Sequence, residues 1–413
     1  MGSKAHSARK RMLSNIYSKS FLQSSDTLKI ISHTMIYDRL LPVLFEAASS
    51  GSLIDMYDLN QAFTMDFISA FIFGLANATN FLQDVPTRKF MLQKYHCRKD
   101  FEFYYQEVPN LLAWTEALGV PLLPKWYHEA NELMAAWNLA LCDNAEKHLG
   151  SNEPDLEPTV YKQLKLSMAK QLASGSDSSS VKADEIKLQR LEIACEMYDH
   201  LTAGHETSAV GLTYLCWELS KRPHLQAALR KELQTLSPAV TYPITSHSLH
   251  SLPHPKLIDA LPLLQAVVME TLRLHAPIPG IQPRTTPYPT SSLSGYDRIP
   301  PNIRVNAQAY SLHRNPEVFP DPESWQPHRW LKEDDSAELE EMQRWFWAFG
   351  SGRRRKRSEN KLMHEESVEM KLVVAAIYTN FLTTIVDDEG IEATDAYTVK
   401  PSGHKLILKF ELI

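Results

Sequence analysis

The spacing of apolar residues predicts a mainly helical protein. In residues 7–149, apolar side chains recur three and four positions apart, which is typical of helices that bury one face. Residues 58–82 are apolar on most faces, so we expect a buried helix there, with Asp58 as its N-cap. Prolines interrupt the pattern near residue 122, and a further helix should follow at residues 129–148.

The last third of the chain predicts shorter elements. Residues 280–310 contain brief apolar runs separated by prolines, which indicates short strands and turns, including a strand at residues 304–307. Residues 369–381 predict an apolar helix. Residues 400–413 alternate between apolar and polar positions, so we expect a final strand with Leu406, Leu408 and Phe410 on its buried face.

The longest predicted helix covers residues 184–222. Its second half, residues 209–219, is apolar on nearly all sides, so this half should be buried in the protein centre. The first half should be amphipathic, because apolar and charged residues alternate there with helical spacing. We expect its buried face to carry Leu188, Leu191, Cys195, Tyr198 and Thr202.

The middle of this helix carries the sequence Ala203-Gly204-His205-Glu206-Thr207-Ser208. Glycine inside a helix lowers its stability by up to about 1 kcal/mol, and a buried glutamate is unfavourable unless it is paired. One interpretation is a helix crossing that the small glycine permits. The other is a groove in which a flat ligand lies against the backbone, below the acid and the hydroxyl. A zinc motif is excluded, because the second histidine would have to replace Ala209.

Two arginines are expected to share one buried carboxylate. Residues 262–276 predict a helix bounded by prolines, and Glu270 and Arg273 lie three residues apart on one of its faces. Because the rest of this helix is apolar, the ion pair should be buried and should need a third partner. Arg329 is the natural candidate for that partner.

An apolar turn is followed by a run of cations. The turn reads Trp345-Phe346-Trp347-Ala348-Phe349-Gly350-Ser351-Gly352, and residues 353–357 are all arginine or lysine. Glycine allows backbone angles that other residues avoid, so a tight turn is expected. Burying an unpaired cation is unfavourable, so we interpret the run as a solvated loop. A nuclear-localisation signal fits the composition but not a position inside a folded domain.

Composition limits the possible partners and compartments. The chain has 413 residues and a net charge of −6 with acids and bases mixed along it, so nothing indicates nucleic acid as a partner. Its four cysteines lack CxxC spacing, which fits a reducing compartment and buried apolar positions. The longest apolar run is too short to span a bilayer, and the N-terminus has no signal-peptide core. We therefore expect a cytoplasmic chain without a membrane anchor.

The order of these motifs resembles the cytochrome P-450 family of haem-thiolate monooxygenases, in particular its fungal members. Residues 203–207 resemble the oxygen-activating groove of the family's long helix, and residues 270–273 its ExxR motif. Arg329, in residues 327–330, completes the family's triad, although the family prefers glutamate where His328 stands. The resemblance implies a mainly α fold with small β-sheets. It also implies a single domain of residues 1–413, with residues 174–183 as a Ser-rich loop.

The resemblance further implies a cofactor, a reaction and partners. A haem iron held by a cysteine thiolate would activate O2, with Glu206 and Thr207 relaying protons beside Ala203 and Gly204. The substrate would be a small organic molecule of fungal secondary metabolism, and an NADPH-dependent reductase would supply electrons. Full-length members are typically anchored in the endoplasmic reticulum membrane. The residues expected to contact the haem are Arg284, Arg354, Phe349, Gly352 and, on the first helix, His6, Arg9 or Lys10.

Two features depart from the family. The family's loop reads FxxGxRxCxG, and counting from Phe349 places Lys356 at the cysteine position and Ser358 at the final glycine. Counting back from residues 369–372 gives Asn360 instead, and residues 217–413 contain no cysteine. The family's anchor, first sheet and first helices would precede this chain. Part of the substrate pocket and the sheet partners of the strand at residues 304–307 should therefore be missing.

The resulting hypothesis is a P-450-type monooxygenase whose activity is impaired, because a lysine is cationic and cannot donate electrons as a thiolate does. The alternative is an inactive pseudoenzyme, or a fragment from a mis-assembled gene model, that keeps the fold without thiolate-ligated haem. A third option is a haem-binding protein in which Lys356 or His364 is the ligand.

Overall fold

The computed structural model describes residues 3–151, 153–175, 183–243, 252–332, 336–350 and 361–413. Within these residues the protein is mainly helical with short antiparallel strands, as the sequence predicts. Contacts divide the chain into two compact units. Unit 1 contains Met1–Ile16, Ser25–Met35 and Ala62–His205, and unit 2 contains Tyr17–Ser24, Ile36–Gln61 and Glu206–Ile413. The single domain of residues 1–413 stays a prediction.

Prolines open many of the helices, where their missing N–H group is not needed. In the described residues the α-helices are α1 Ser3–Leu13, α2 Lys19–Ser24, α3 Asp26–His33, α4 Leu41–Ser50, α5 Met56–Phe73, α6 Val85–His96, α7 Glu102–Gln106, α8 Pro109–Ala117 and α9 Lys125–Lys147. They continue with α10 Thr159–Gly175, α11 Ala183–Ser220, α12 Pro223–Leu233, α13 Pro255–Asp259, α14 Pro262–Leu274, α15 Ala309–His313, α16 Ala337–Trp345 and α17 Lys361–Asn380.

The strands of the described residues form three antiparallel sheets, all in unit 2. Strands β1 Leu53–Asp55, β6 Phe381–Asp387 and β7 Ile407–Leu412 form one sheet in the order β1-β7-β6. Strand β2 Ile281–Thr285 pairs with β5 Arg304–Gln308, and β3 Ser291–Leu293 pairs with β4 Tyr296–Ile299. The expectation that the strand at residues 304–307 lacks sheet partners is therefore wrong, because β2 pairs with its whole length.

The predicted boundaries of the buried helix at residues 58–82 need correction. This helix is α5, and its start is capped by Asp55, whose Oδ1 accepts hydrogen bonds from Tyr57 N at 3.0 Å and Asp58 N at 3.4 Å. It ends before Gly74, whose φ of +88° suits glycine. A Cβ at Gly74 would lie 2.7 Å from the carbonyl oxygen of Leu156, so the chain also requires a glycine there for space.

The long helix α11 confirms one prediction and overturns another. Its second half is buried as expected: Val210, Leu215 and Leu219 are 0% exposed. In the first half the predicted face is wrong, because Leu188 is 60% exposed. Leu191 and Cys195 are exposed too, and Tyr198 and Thr202 are only partly buried. Apolar residues occupy both faces of this half, so spacing alone did not identify the buried one. The buried residues are Ile193, Ala194, Met197 and Leu201.

The C-terminal predictions agree with the structure. Helix α17 contains most of the predicted helix at residues 369–381, and β7 lies within residues 400–413. Leu406, Leu408 and Phe410 are buried, as their alternation indicates. Among the helices of the described ranges, none carries an apolar stretch long enough to cross a bilayer.

Candidate functional site

Helix α14 carries the buried carboxylate at the centre of the candidate site. Its N-terminus is held by Glu232, whose two carboxylate oxygens accept hydrogen bonds from Leu263 N at 2.7 Å and Leu264 N at 2.8 Å. An acid at this end also interacts favourably with the helix dipole. The helix is therefore fixed at its start, and Glu270 and Arg273 follow on its buried face, each 0% exposed.

Every N–H group of the Arg273 guanidinium has an acceptor. Its Nε and Nη2 donate to the two carboxylate oxygens of Glu270 at 2.9 and 2.8 Å, a bidentate arrangement. Its Nη1 donates to the carbonyl oxygens of His313 at 2.9 Å and Pro322 at 2.7 Å. Its Nη2 also donates to the carbonyl oxygen of Ser324 at 3.1 Å. A buried charge with all donors paired stabilises one geometry of the surrounding loops.

The Glu270 carboxylate also binds the segment that contains Arg329. Arg329 Nε donates to Glu270 Oε1 at 3.1 Å, so the expected pairing of Glu270 with both arginines is present. Gln326 N donates to the same oxygen at 2.8 Å, and the Trp330 indole donates to Oε2 at 2.9 Å. We call Glu270, Arg273, Gln326, Arg329 and Trp330 the Glu270 cluster. His328, the family departure, is exposed.

The first residues of the apolar turn are held by His313, which also contacts Arg273. Trp347 N donates to His313 Nε2 at 2.7 Å, and the rings of His313 and Phe346 stack with centroids 5.3 Å apart. Gly350 has a φ of +77°, and a Cβ there would lie 3.0 Å from Gln282 Oε1 on β2. The positive φ therefore favours glycine at this turn, and a larger residue would also displace the flexible end of the Gln282 side chain by a few tenths of an ångström.

Gly204, at the centre of α11, lies against a side chain in unit 1. A Cβ at Gly204 would be 2.8 Å from Ile68 Cγ1 on α5, so the glycine permits close packing of these helices. Thr64 Oγ1 also donates to the carbonyl oxygen of His205 at 2.9 Å. Of the two interpretations of this motif, the packing at Gly204 favours the helix crossing. Ala203, next to it, is exposed.

The two polar residues that follow belong to unit 2. Glu206 is buried and Thr207 is partly buried. The Glu206 carboxylate is close enough to the buried Tyr57 hydroxyl to help raise the pKa of that hydroxyl, after the larger effect of burial. A proton-relay role for Glu206 and Thr207 stays a prediction, as do the roles of Ala203 and Gly204.

The residues expected to contact a haem are placed in different surroundings. Arg284 lies on β2, and its Nη1 donates to the carbonyl oxygen of Pro283 at 2.9 Å. In unit 1, Arg9 pairs with Glu192 at 3.3 Å and Glu196 at 3.2 Å. Their contact with a haem stays a prediction. Of the other expected contacts, Lys10 and Phe349 are partly buried, the His6 side chain is not described, and Gly352 and Arg354 lie outside the described residues.

The sequence places no cysteine in the segment where the family's ligand loop is expected. Residues 217–413 contain no cysteine. In unit 2, Cys216 is buried in α11, and burial raises the pKa of its thiol to about 12. The expectation that all four cysteines are buried is wrong for Cys195, which is exposed, and Cys97, which is partly buried; Cys142 is buried. In the described part of the chain no group of three His, Cys, Asp or Glu side chains is arranged to hold a metal ion.

Sequence patterns missed His313. It is fully buried and contacts both Arg273 and the apolar turn, which lie 40 and 34 residues away along the chain. A single histidine between short elements carries no periodic or spacing signal. Trp330 and the Gln326 amide were missed as partners of Glu270 for the same reason, although their position beside Arg329 pointed to the correct segment.

Comparisons with known proteins agree with the order of motifs. A family model described as Cytochrome P450 matches residues 1–355. The cytochrome P450 monooxygenase avaI of Aspergillus versicolor is 29% identical over 84% of this chain and 76% of its own length. The cytochrome P450 monooxygenase tazI of Aspergillus terreus is 33% identical over 54% of this chain and 42% of its own length. The cytochrome P450 monooxygenase FGM1 of Gibberella zeae is 23% identical over 95% of this chain and 73% of its own length. This chain belongs to the cytochrome P450 family.

Proposed function

We propose that this chain keeps a cytochrome P450 scaffold without the thiolate-dependent monooxygenase activity for which its fungal relatives are named. One observation carries the proposal. Residues 217–413 contain no cysteine, and the ligand position is Lys356 when counted from Phe349, or Asn360 when counted back from residues 369–372. Neither side chain supplies a thiolate.

The chemistry of the replacement supports loss of activity. A lysine amine is protonated at neutral pH and must lose its proton before it can bind a metal. A neutral amine still lacks the electron donation by which a thiolate favours cleavage of the O–O bond. Lys356 also stands among arginines at positions 353, 354, 355 and 357, and these like charges oppose burial of any one of them.

The Glu270 cluster supports the scaffold part of the proposal. A buried carboxylate whose partners are all in place is strongly favourable relative to the same site with one partner missing. The paired arrangement of Glu270, Arg273 and Arg329 therefore stabilises this scaffold. We infer a structural role for this cluster, which holds α14 against residues 326–330, and this role does not require catalysis.

The competing function is the family's own: haem- and O2-dependent oxidation of a small organic substrate, with electrons from an NADPH-dependent reductase. Family membership favours it, as do the fungal relatives that are named monooxygenases. An origin in fungal secondary metabolism fits this group of relatives. The activity needs a ligand that the cysteines of this chain do not provide.

The spectrum of the reduced carbon monoxide complex separates the two functions. A thiolate-ligated haem gives a red-shifted Soret band, and we expect the haem-supplemented full chain to show none. The variants Lys356→Cys and Asn360→Cys restore a thiol in the two possible registers. We expect one of them to gain the red-shifted band, which also identifies the correct register.

One outcome contradicts the proposal. A red-shifted band in the unchanged chain means that another group supplies the thiolate. The variants Cys216→Ser, Cys195→Ser, Cys142→Ser and Cys97→Ser then identify it. Unchanged haem affinity in both Lys356→Ala and His364→Ala dismisses the third option, in which either residue is the ligand.

A further inference from the structure

His313 is the last residue of α15 and is fully buried. Both of its ring nitrogens have backbone partners. Nδ1 lies 2.8 Å from the carbonyl oxygen of Arg273, and Nε2 lies 2.7 Å from Trp347 N. A carbonyl oxygen only accepts a hydrogen bond, and a backbone amide only donates one. The geometry therefore requires a protonated Nδ1 and an unprotonated Nε2.

This tautomer connects segments that are distant in sequence. The Nδ1–H group donates to the Arg273 carbonyl oxygen in the last turn of α14. The unprotonated Nε2 accepts from the Trp347 amide at the start of the apolar turn. The carbonyl oxygen of His313 also accepts from Arg273 Nη1 at 2.9 Å, so backbone and side chain both contact this arginine. The ring stacks on Phe346 with an interplanar angle of 13°. Small rotations of the ring would break these contacts together.

Among the described residues, the charges around His313 favour a neutral ring. Arg273 on α14 is cationic, and Arg314 follows directly and donates to the carbonyl oxygen of Leu274 at 3.0 Å. The nearby carboxylate of Glu270 already accepts from Arg273 and Arg329. Glu323 is paired with Arg314 at the surface. A second proton on the His313 ring would point an N–H group at Trp347 N–H and add a cation beside Arg273.

We propose that His313 is a positioning residue that fixes the start of the apolar turn relative to the ExxR helix, and that it does so only as the neutral Nδ1–H tautomer. The proposal is independent of haem ligation, because all groups involved belong to the described protein. It assigns to His313 the task of placing residues 346–350, from which the loop with the family's ligand position continues. His313 acts through the backbone of Trp347 and is not itself a catalytic residue.

The tautomer is measured directly by NMR on the full chain labelled with ¹⁵N in histidine side chains. The signal of His313 is identified by its loss in His313→Gln. We expect a protonated Nδ1 and an unprotonated Nε2 at neutral pH. A protonated Nε2 overturns the proposal. This test needs no variant other than the one used for assignment.

The positioning role is measured by hydrogen exchange at the amide of Trp347. Glutamine offers one donor and one acceptor, so His313→Gln should keep the protection, whereas His313→Leu fills space without hydrogen bonds and should raise the exchange rate about tenfold. The exposed His328 provides the control, and His328→Leu should leave the rate unchanged. Equal protection in His313→Leu and the unchanged chain overturns the positioning role. If His313→Leu does not fold, the tautomer measurement still decides the proposal.

Discussion

Two buried histidines, one in each unit, have opposite surroundings. His313 and His205 are both 0% exposed. Both ring nitrogens of His313 are hydrogen-bonded to backbone groups. Within the described residues, neither ring nitrogen of His205 has a hydrogen-bond partner, and its ring instead meets the rings of Tyr95 at 5.3 Å and His96 at 6.4 Å. The first histidine is held by polar contacts, and the second by packing.

This difference in surroundings determines how each region should respond to a change of charge. Around His313 and the Glu270 cluster, charges and polar groups are paired, so removing one partner leaves another buried and unpaired. Around His205 the described residues provide no hydrogen-bond partner for a charged ring, and burial together with the charge of Lys99 lowers the pKa of the imidazole to about 3. The first region should be sensitive to mutation of a charge, and the second to protonation.

The largest effect is expected from Glu270→Ala. The change removes the acceptor of two arginines and the Trp330 indole, and we expect a loss of about 3–5 kcal/mol in the free energy of unfolding. Urea unfolding followed by tryptophan fluorescence measures it. The control is Glu338→Ala, which removes an exposed ion pair with Lys332 and should cost less than about 1 kcal/mol. Similar losses in both variants would show that the cluster does not stabilise the fold.

A smaller effect is expected from acid acting on His205. The unfolded imidazole has a pKa near 6.5, and the folded one has a pKa of about 3. Between these values the unfolded chain binds the additional proton, so stability falls as pH falls below 6.5. One such group contributes a slope of about 1.4 kcal/mol per pH unit, and this contribution is absent above pH 6.5.

His205→Leu should reduce the slope of stability against pH by this amount. Urea midpoints measured at intervals between pH 7 and 5 give the slope. His328→Leu is the matched control, because His328 is exposed and should leave the slope unchanged. An unaltered slope in His205→Leu would mean that the His205 ring finds a partner for its charge and that the contrast with His313 is smaller than its contacts indicate.

The sequence was sufficient where few arrangements were possible. Glu270 and Arg273 are isolated charges in an otherwise apolar helix, so pairing with a third charged residue was the expected solution, and Arg329 is present at that place. The second half of α11 is apolar on all sides, so burial of the whole half was the expected result and no single buried face had to be predicted. The alternation at Leu406, Leu408 and Phe410 determines the buried face of β7, because it places these apolar side chains on one face of the strand.

The sequence was insufficient where long-range contacts decided the outcome. In the first half of α11 both faces carry apolar residues, and packing buries Ile193 and Met197 while Leu188 stays exposed. The pairing of β2 with β5 was not foreseen, because short strands carry little information about their partners. His313 owes its role to Arg273 and Trp347, and no local pattern indicates two backbone partners so far away.

The smallest effect is expected at Gly204, where packing opposes helix propensity. Alanine gains up to about 1 kcal/mol over glycine inside a helix, but a Cβ at Gly204 would lie 2.8 Å from Ile68 Cγ1, and such overpacking costs about 1–3 kcal/mol. We expect a net loss of about 1 kcal/mol for Gly204→Ala. In an Ile68→Ala background the steric conflict is gone, so the same change should become stabilising. Urea unfolding of the four chains of this double-mutant cycle measures the coupling. A stabilising Gly204→Ala in the original background would show that Ile68 moves aside freely, and that the glycine is present for a reason other than this helix crossing.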